Sequence, residues 1–349
     1  MSAEFLPLSG REFLAQWSAS HGNLRRFLED TALPPLDDNA QRAAGEAAAA
    51  AAVHEAFGMG LEEFSLGVDT VGGAFASAGA SRVTSPDPDI PQDIHAAAFF
   101  DIDNTLIQGS SLVLLAAGLA KARYITLREL LPGMIKQIRF RLSGSENPQD
   151  IAKGRKQALE LVKGKSVAEL KQLCSDIVDT QMVNKVYQST IDLAAMHIAA
   201  GQQVWLVSAT PVQIGQALAE RLGFTGALGT VVEDDGEVFT GHLVGDILHG
   251  PGKKHAVAAL AALQQLDLSQ CTAYSDSIND VPMLSMVGTP VAINPDRKLH
   301  AHAKNAGWDV REYRSVRRFI RSWAGVGTLV GLGVAGVGLV RYVGSSRRS

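Results

Sequence analysis

The chain has 349 residues, of which 46% are hydrophobic, and its formal net charge is −4. This length is sufficient for one large domain or two ordinary domains, and the small net charge gives no reason to expect nucleic acid as a partner. The two cysteines, Cys174 and Cys271, are far apart and form no CxxC pair. A disulfide framework and a cysteine-rich metal site are therefore disfavoured, and both thiols are expected to pack in or near the core of a protein from a reducing compartment.

Residues 1–93 differ in composition from the rest of the chain. They include the alanine run 47–52 and the segment 83–93, which contains three prolines. The alanine run favours a helix, whereas closely spaced prolines are typical of a linker. The first residues show no basic segment followed by an apolar run, so we expect no secretory signal. We predict an N-terminal appendage and linker that is helical in part and otherwise disordered.

The sequence HAAAFFDIDNT at 95–105 indicates a buried strand that ends in two carboxylates, Asp101 and Asp103. A short apolar run bounded by polar residues is typical of a parallel strand, and ligands bind at the carboxyl edge of open α/β sheets. Side chains alternate along a strand, so the two acids are expected to face the same side. Neighbouring carboxylates repel unless a cation or a shared proton intervenes, which indicates a metal site or divided acid and base roles. The same pair is equally compatible with helix capping or solvent exposure.

A long region at about 110–200 has helical patterns and no strand pattern. Between Leu127 and Leu142, apolar residues recur at helical spacing with four basic residues among them. The packing of a helical subdomain and a membrane-surface helix both fit this pattern, and the former is the commoner cause.

Strand patterns return in the second half of the chain and alternate with helices. We predict strands at 202–211, 271–277 and 290–294, a hairpin within 229–245 that turns at 234–236, and a helix at 253–266. Such alternation predicts an α/β domain at 94–318 with a parallel sheet and right-handed crossovers.

Three further polar clusters follow in order. Ser208 ends a predicted strand, and the next helix has Pro211 in its first turn; a hydroxyl and free N–H groups there suit a phosphate oxygen or a helix N-cap. Lys253 and Lys254 begin a helix after Gly-Pro-Gly, where a lysine can reach phosphate or remain solvated. The acids within 276–280 could supply oxygen ligands to Mg²⁺ or cap a loop.

The order of these clusters resembles the haloacid dehalogenase superfamily, in particular its phosphoserine-phosphatase-like branch, subfamily IB. The resemblance rests on DIDNT at 101–105, Ser208 in LVSAT, Lys253 in GPGK and SDSIND at 275–280, and it extends over about 94–310. It implies a three-layer Rossmann-like core with a parallel sheet, into which a helical cap at about 110–200 is inserted.

The resemblance also implies a phosphatase that works on phosphomonoesters through a covalent intermediate. Asp101 would attack phosphorus and form an aspartyl-phosphate, and Asp103 would protonate the leaving oxygen and then deprotonate water. Superfamily members without an acid at the second place, such as ion-pumping ATPases, keep the phosphoenzyme longer, so Asp103 favours hydrolysis. Transfer to an acceptor other than water, and a catalytically silent membrane-attached scaffold, remain as alternatives.

The remaining site residues are assigned by the same resemblance. Ser208, the neighbouring Ala209 and Lys253 would hold the phosphoryl group, with Lys254 as the alternative to its neighbour.

Magnesium is the cofactor that the resemblance implies. Mg²⁺ would be bound by the carboxylates of Asp101 and Asp276 and by the backbone carbonyl of Asp103, while Asn279 and Asp280 would orient these ligands.

The expected substrate depends on the residue at position 110, which is a serine. Phosphoserine phosphatases that resemble this chain carry a glutamate nine positions after the nucleophile, where it meets the substrate ammonium, and here that position is Ser110. Losing this ion pair is expensive in a closed site. Phosphoserine is therefore the second choice, after a lipid or another small phosphomonoester near the membrane.

The segment 322–340 contains no charged residue over 19 positions. As a helix it would be roughly 28 Å long, close to the hydrocarbon thickness of a bilayer, and Gly327 and Gly331 have the spacing that allows a homodimer through membrane helices. More arginines precede the segment, at 311–321, than follow it in the basic tail 341–349. We predict a single-pass anchor in the cell membrane with the catalytic domain in the cytoplasm; a flexible linker or a buried helix is the alternative.

Overall fold

The structure is a computed structural model and describes residues 38–79, 86–125 and 159–313. Its strands are β1 Ala97–Phe100, β2 Gln203–Pro211, β3 Gly226–Asp234, β4 Phe239–Val244, β5 Thr272–Ser275, β6 Thr289–Ile293 and β7 Asp309–Arg311. Its α-helices are α1 Asp38–Phe57, α2 Leu61–Ala78, α3 Ser111–Lys121, α4 Val167–Ile177, α5 Gln188–Ala199, α6 Val212–Leu222, α7 Pro251–Gln264, α8 Val281–Leu284 and α9 Arg297–Ala306. Short turns of other helix types cover Val178–Met182 (π), Val183–Lys185 (3₁₀) and Ile278–Asp280 (3₁₀).

One sheet holds all seven strands, in the order β4-β3-β2-β1-β5-β6-β7. The first strand lies at its centre, where Phe100 is opposite Leu206 of β2 and Tyr274 of β5 in parallel register. The pairs β2–β3 and β5–β6 are also parallel, and β4 alone is shown to run antiparallel, to β3. The predicted α/β class with a mostly parallel sheet is confirmed, and the end of β1 lies in the middle of the sheet's carboxyl edge.

Both faces of the sheet are covered by helices, which gives the expected three layers. Phe99 and Trp205 belong to a core shared with Phe64 of α2. The alternating positions face the opposite side, where Phe100 and Tyr274 contact the ring of His197 in α5. Apolar strands of this kind are buried on both faces, as all four residues of β1 are.

The predicted hairpin is confirmed, and its turn follows the expected chemistry. Gly236 has a left-handed φ of 95°, which glycine adopts without steric cost. The side chain of Asp235 accepts the N–H groups of Glu237 and Val238 at 3.0 Å and 2.8 Å. These contacts close the chain reversal between β3 and β4.

The predicted strand at 202–211 is confirmed, but the predictions that it ends at Ser208 and that Pro211 lies in the first turn of the next helix are wrong. The strand continues to Pro211, which is the N-cap of α6 and lies outside its first turn. The pairing of β2 with β3 is irregular between Val207 and Pro211. Such an irregularity changes the direction of side chains without ending a strand, and it leaves no mark in the periodicity of the sequence.

The N-terminal segment is helical over α1 and α2, and α2 differs from the expected appendage. Its Phe64, Val68, Val71 and Ala74 are buried, and the helix packs against α7 and β3. These apolar residues lie among glycines and alanines, so their pattern indicates a core helix only weakly.

The predicted cap region 110–200 contains α3, α4 and α5. The last of them packs on β1 and β2, where Thr190 donates a hydrogen bond to the carbonyl oxygen of Thr105 at 2.8 Å. Cys174 in α4 and Cys271 before β5 are buried free thiols, which confirms their predicted place in the core.

Two sequence-based predictions about membranes fall outside the described residues. These are the amphipathic pattern between Leu127 and Leu142 and the apolar segment 322–340. Within residues 38–79, 86–125 and 159–313, no helix combines the length and apolar character needed to cross a bilayer.

Candidate active site

The nucleophile candidate, Asp101, follows directly after β1 and is only 6% exposed. Its backbone N–H donates to the carbonyl oxygen of Tyr274 at 2.9 Å. Asn104 adopts a left-handed φ of 56°, and Asn294 donates to its carbonyl oxygen at 3.0 Å. This turn brings the hydroxyl of Thr105 back to Asp101, where it donates to Oδ2 at 3.3 Å.

The structure distinguishes the two adjacent lysines. Lys253 is 3% exposed, and its Nζ lies 2.5 Å from Asp101 Oδ1 and 2.6 Å from Asp280 Oδ2. Lys254 is half-buried and donates to the carbonyl oxygen of Gly58 at 3.0 Å. Consecutive residues of a helix point in directions about 100° apart, so only one of the two can face the sheet edge, and that residue is Lys253.

Asp280 is held in turn by Ser275. The Ser275 hydroxyl donates to Asp280 Oδ2 at 2.6 Å, the same oxygen that accepts the Lys253 ammonium. Asp280 is 3% exposed, so this buried carboxylate has two donors and its charge is compensated. The sequence predicts a supporting role for Asp280 but does not mark Ser275 and Thr105 as part of the site, because a hydroxyl near a strand end has many other uses.

Asp103 is bound to the start of α3. Its Oδ1 accepts the backbone N–H of Ser111 at 2.8 Å and also contacts the Ser111 hydroxyl. Because β1 ends at Phe100, both acids lie in the loop after the strand, and separate contacts orient each of them. The prediction that strand alternation turns the two acids to the same side is therefore wrong, although Asp103 is close enough to influence the pKa of Asp101.

The buried cluster contains more acids than bases. Burial raises the pKa of Asp101 well above its usual value; Lys253 opposes this shift, and Asp280, Asp276 and Asp103 reinforce it. Burial also acts to lower the pKa of Lys253, but the adjacent Asp101 and Asp280 raise it above its ordinary value. The leading causes differ, since burial disfavours the charge of Asp101 and the neighbouring carboxylates favour the charge of Lys253, but the surplus of acids acts in the same direction on both and favours an added proton or cation.

Ser208 lies on the strand beside β1. It follows two residues after Leu206, the register partner of Phe100, so it is at the same edge as Asp101. Its Oγ accepts the N–H of Thr210 at 3.3 Å and the Thr210 hydroxyl at 2.9 Å. Thr210 is a further residue that sequence analysis missed.

Ala209 is exposed. Its carbonyl oxygen accepts the Thr230 hydroxyl at 2.8 Å. This contact fixes the backbone beside Ser208 from β3.

Asp276 and Asn279 lie in the loop after β5. The Asp276 carbonyl oxygen accepts the N–H of Asp296 at 2.7 Å, and its charge raises the pKa of Asp101. The N–H of Asn279 lies 3.3 Å from the hydroxyl of Ser277. The fold thus places this loop beside the end of β1, because β5 is the neighbouring strand.

The donor chemistry of the cluster fits Mg²⁺. Carboxylate and carbonyl oxygens are the ligands this ion prefers, and the surplus of acids over Lys253 leaves negative charge for it to offset. Among the residues that the structure describes, no three acidic, histidine or cysteine side chains form a metal-binding group. The expected ligand set has only two carboxylates, from Asp101 and Asp276, and one backbone carbonyl, from Asp103.

Known proteins resemble this chain in sequence and in fold. A protein from Mycobacterium tuberculosis called phosphoserine phosphatase SerB1 is 49% identical over 282 residues, which cover 78% of this chain and 91% of the relative. A putative hydrolase from Mycobacterium leprae is 50% identical over 248 residues, covering 71% and 82%. A crystal structure of a Bordetella pertussis protein of unknown function has a TM-score of 0.56 at 27% identity and covers 63% of this chain and 99% of that one.

The sequence also matches a protein family over residues 98–285, a range that includes most of β1, Ser208, Lys253 and the Asp276 loop. That range and the relatives confirm the prediction of a haloacid dehalogenase-type phosphatase. The chain belongs to the haloacid dehalogenase-like hydrolase family.

Proposed function

We propose that this protein is a Mg²⁺-dependent phosphomonoester phosphatase that acts through an aspartyl-phosphate intermediate. The observation that carries the proposal is the buried contact of 2.5 Å between Lys253 Nζ and Asp101 Oδ1. A carboxylate at a sheet edge, next to a fixed cation, has both a nucleophilic oxygen and a partner for phosphoryl oxygens.

In the first half of the reaction, an oxygen of Asp101 attacks phosphorus. The bond from phosphorus to the leaving oxygen breaks, and Asp103 transfers a proton to that oxygen. Lys253 and the Ser208 hydroxyl stabilise the charge on the phosphoryl oxygens. Asp280 keeps the lysine in place, because it accepts the same ammonium at 2.6 Å.

In the second half, Asp103 removes a proton from a water molecule that attacks the aspartyl-phosphate. The bond between phosphorus and Asp101 breaks, phosphate leaves, and the starting protonation states return. The carboxylates of Asp101 and Asp276 and the carbonyl of Asp103 would hold Mg²⁺, with Asn279 and Asp280 orienting them. When bound, this ion neutralises charge on the phosphoryl group.

For the substrate, we place a lipid or another small phosphomonoester first. Position 110 is the N-cap of α3 and is buried close after the Asp103 loop. Because it is a serine, it offers no carboxylate to a substrate ammonium. The uncharged segment 322–340 supports a membrane anchor, and the spacing of Gly327 and Gly331 within it supports a homodimer. The larger number of arginines at 311–321 than at 341–349 supports a cytoplasmic catalytic domain. Phosphoserine is the second candidate, which the name of the M. tuberculosis relative favours.

Phosphate release by the full-length protein in lipid nanodiscs tests the proposal. Lysophosphatidate, phosphoserine and p-nitrophenyl phosphate are compared with Mg²⁺ and with EDTA, using wild type and Asp101→Asn. We expect EDTA to abolish turnover and the variant to lose at least about 10³-fold in kcat, because the nucleophile is removed. Asparagine is uncharged, and burial already disfavours the charge of Asp101, so the variant should fold.

Other results of the screen separate the alternatives. Faster turnover of phosphoserine than of lysophosphatidate would favour the second substrate. Full activity in EDTA would contradict the metal dependence, and an active Asp101→Asn variant would contradict the mechanism. Absence of phosphate release from every substrate would favour the scaffold, and fractionation of cells expressing the tagged chain tests the membrane location.

A further inference from the structure

The N-terminus of α3 contacts the carboxylate of Asp103. Ser111 is the first residue of this helix and is fully buried. Its backbone N–H donates to Asp103 Oδ1 at 2.8 Å, and its hydroxyl contacts the same oxygen. The first N–H groups of a helix have no partner within the helix, so the side chain of Asp103 satisfies one of them and is fixed by it.

Both contacts are made to Oδ1 of Asp103 and neither is made to Oδ2. A carboxylate oxygen has two lone-pair sites, and Ser111 occupies both sites of Oδ1. Within the described part of the chain, the hydrogen bonds to this carboxylate reach Oδ1 only. With the Ser111 hydroxyl as donor, both sites of Oδ1 are filled, and a proton carried by Asp103 is then on Oδ2.

We infer that Ser111 is a positioning residue that keeps the transferable proton of Asp103 on Oδ2. The inference rests on the proposed function, in which Asp103 is the acid and base. Ser111 acts only through Asp103, and its contacts determine which carboxylate oxygen of Asp103 exchanges the proton.

The proton balance follows from the proposed mechanism. As the bond between Asp101 and phosphorus forms and the bond to the leaving oxygen breaks, the proton moves from Oδ2 of Asp103 to that leaving oxygen. The carboxylate that remains is stabilised at Oδ1 by the two donors of Ser111 and by the positive end of the helix dipole. Later the same Oδ2 takes a proton from the attacking water, and no further reactant is needed.

A capping role alone is the competing explanation, and Ser166 provides a matched control. Ser166 is the N-cap of α4, and its hydroxyl accepts the N–H of Glu169 at 3.3 Å. Loss of that hydroxyl removes a hydrogen bond at a helix start. It leaves the contacts of Asp103 intact.

The test compares leaving groups in the full-length protein and its Ser111→Ala, Ser111→Thr and Ser166→Ala variants. The p-nitrophenolate of p-nitrophenyl phosphate leaves without a proton, whereas the alkoxide of lysophosphatidate or phosphoserine needs one. The alkyl substrate used is lysophosphatidate or phosphoserine, whichever the wild-type protein hydrolyses faster. The quantity compared is kcat/KM, because it reports steps up to departure of the leaving group and excludes hydrolysis of the intermediate.

We expect Ser111→Ala to lower kcat/KM for the alkyl phosphate by about 10- to 100-fold and for p-nitrophenyl phosphate by less than about threefold. Ser111→Thr keeps the hydroxyl and should recover most of the alkyl activity. Ser166→Ala should leave the ratio of the two kcat/KM values unchanged. Melting temperatures of all variants report loss of stability separately.

Equal loss for both substrates in Ser111→Ala, or no loss for either, would overturn the inference and leave the proposed function standing. A wild-type protein that releases phosphate from none of the substrates would overturn the proposed function and the inference with it. A selective loss for the alkyl substrate supports both.

Discussion

Gly67 of α2 lies against the backbone of His255 in α7, so closely that a Cβ at Gly67 would be 2.2 Å from the His255 carbonyl oxygen. Backbone cannot move aside as a flexible side chain can. This contact makes α2, and with it part of the N-terminal segment, a component of the core.

Gly67→Ala should therefore destabilise the protein by about 1–3 kcal/mol or more, because the two helices must separate. Gly72→Ala in the same helix is the control, since among the described residues no atom beyond its own stretch of helix lies within 4 Å of its added Cβ. That change should be neutral or stabilise by up to about 1 kcal/mol through helix propensity. Urea unfolding monitored by circular dichroism measures both, and similar values for the two variants would show that α2 does not pack as described.

Lys253→Met should remove catalysis and weaken the fold. The variant leaves Asp101 and Asp280 in a buried site without their cation, and loss of one partner from a buried pair costs about 3–5 kcal/mol. Loss of phosphoryl stabilisation should lower kcat by about 10²–10³-fold.

Lys254→Met is the matched control for this variant, because Lys254 contacts only the exposed carbonyl of Gly58 among the contacts described for it. We expect less than about a twofold change in kcat and about 0.5 kcal/mol or less in stability. Assays of both variants at 25 °C with melting curves provide the comparison. A larger loss in Lys254→Met than in Lys253→Met would reverse the assignment of the two lysines.

His197 should make the stability depend on pH. Its Nε2 lies 2.8 Å from the Tyr274 hydroxyl, and burial lowers its pKa below 6.5, although a hydrogen bond with Gln202 opposes this shift. Below pH 6.5, His197 binds a proton more readily in the unfolded chain than in the folded protein, because its folded pKa is lower. The contribution of His197 is therefore fully present above pH 6.5 and is lost as the pH falls through the folded pKa.

Urea unfolding of wild type and His197→Gln between pH 5 and 8 isolates this effect from the titration of carboxylates. Glutamine does not titrate, so the stability of the variant should change less between pH 7.5 and 5.5. Identical pH dependence of the two proteins would contradict the lowered pKa.

The two thiols should be inert in the native protein. Burial raises the pKa of Cys174 to about 12. Burial is also the largest cause that raises the pKa of Cys271 to about 11. Because the thiolate is the reactive form, both groups should react slowly. With Ellman's reagent at pH 8 we expect no fast reaction before unfolding and two thiols per chain in denaturant. Met196→Cys is the positive control, because Met196 is 67% exposed; rapid reaction of the wild-type thiols would show that the core around them opens.

Much of the core could be predicted because its signals are local. The apolar run before Asp101, the hairpin turn at Asp235 and Gly236, and the alternation of strands and helices all depend on neighbouring residues, and the structure contains each of them. The order of the polar clusters was also sufficient to indicate the family, since parallel strands bring their carboxyl ends to one edge.

The amino-acid sequence by itself determined the fold class, the family and the group of acids, hydroxyls and lysines from which the site is built. Only the tertiary structure decided which lysine reaches Asp101, that α2 belongs to the core, and that Ser111, Ser275 and Thr210 hold Asp103, Asp280 and Ser208. The physical reason is that these contacts depend on helix rotation, on strand irregularity and on backbone approach between segments as distant as Gly67 and His255. None of these quantities is encoded by the spacing of residues along one strand or helix.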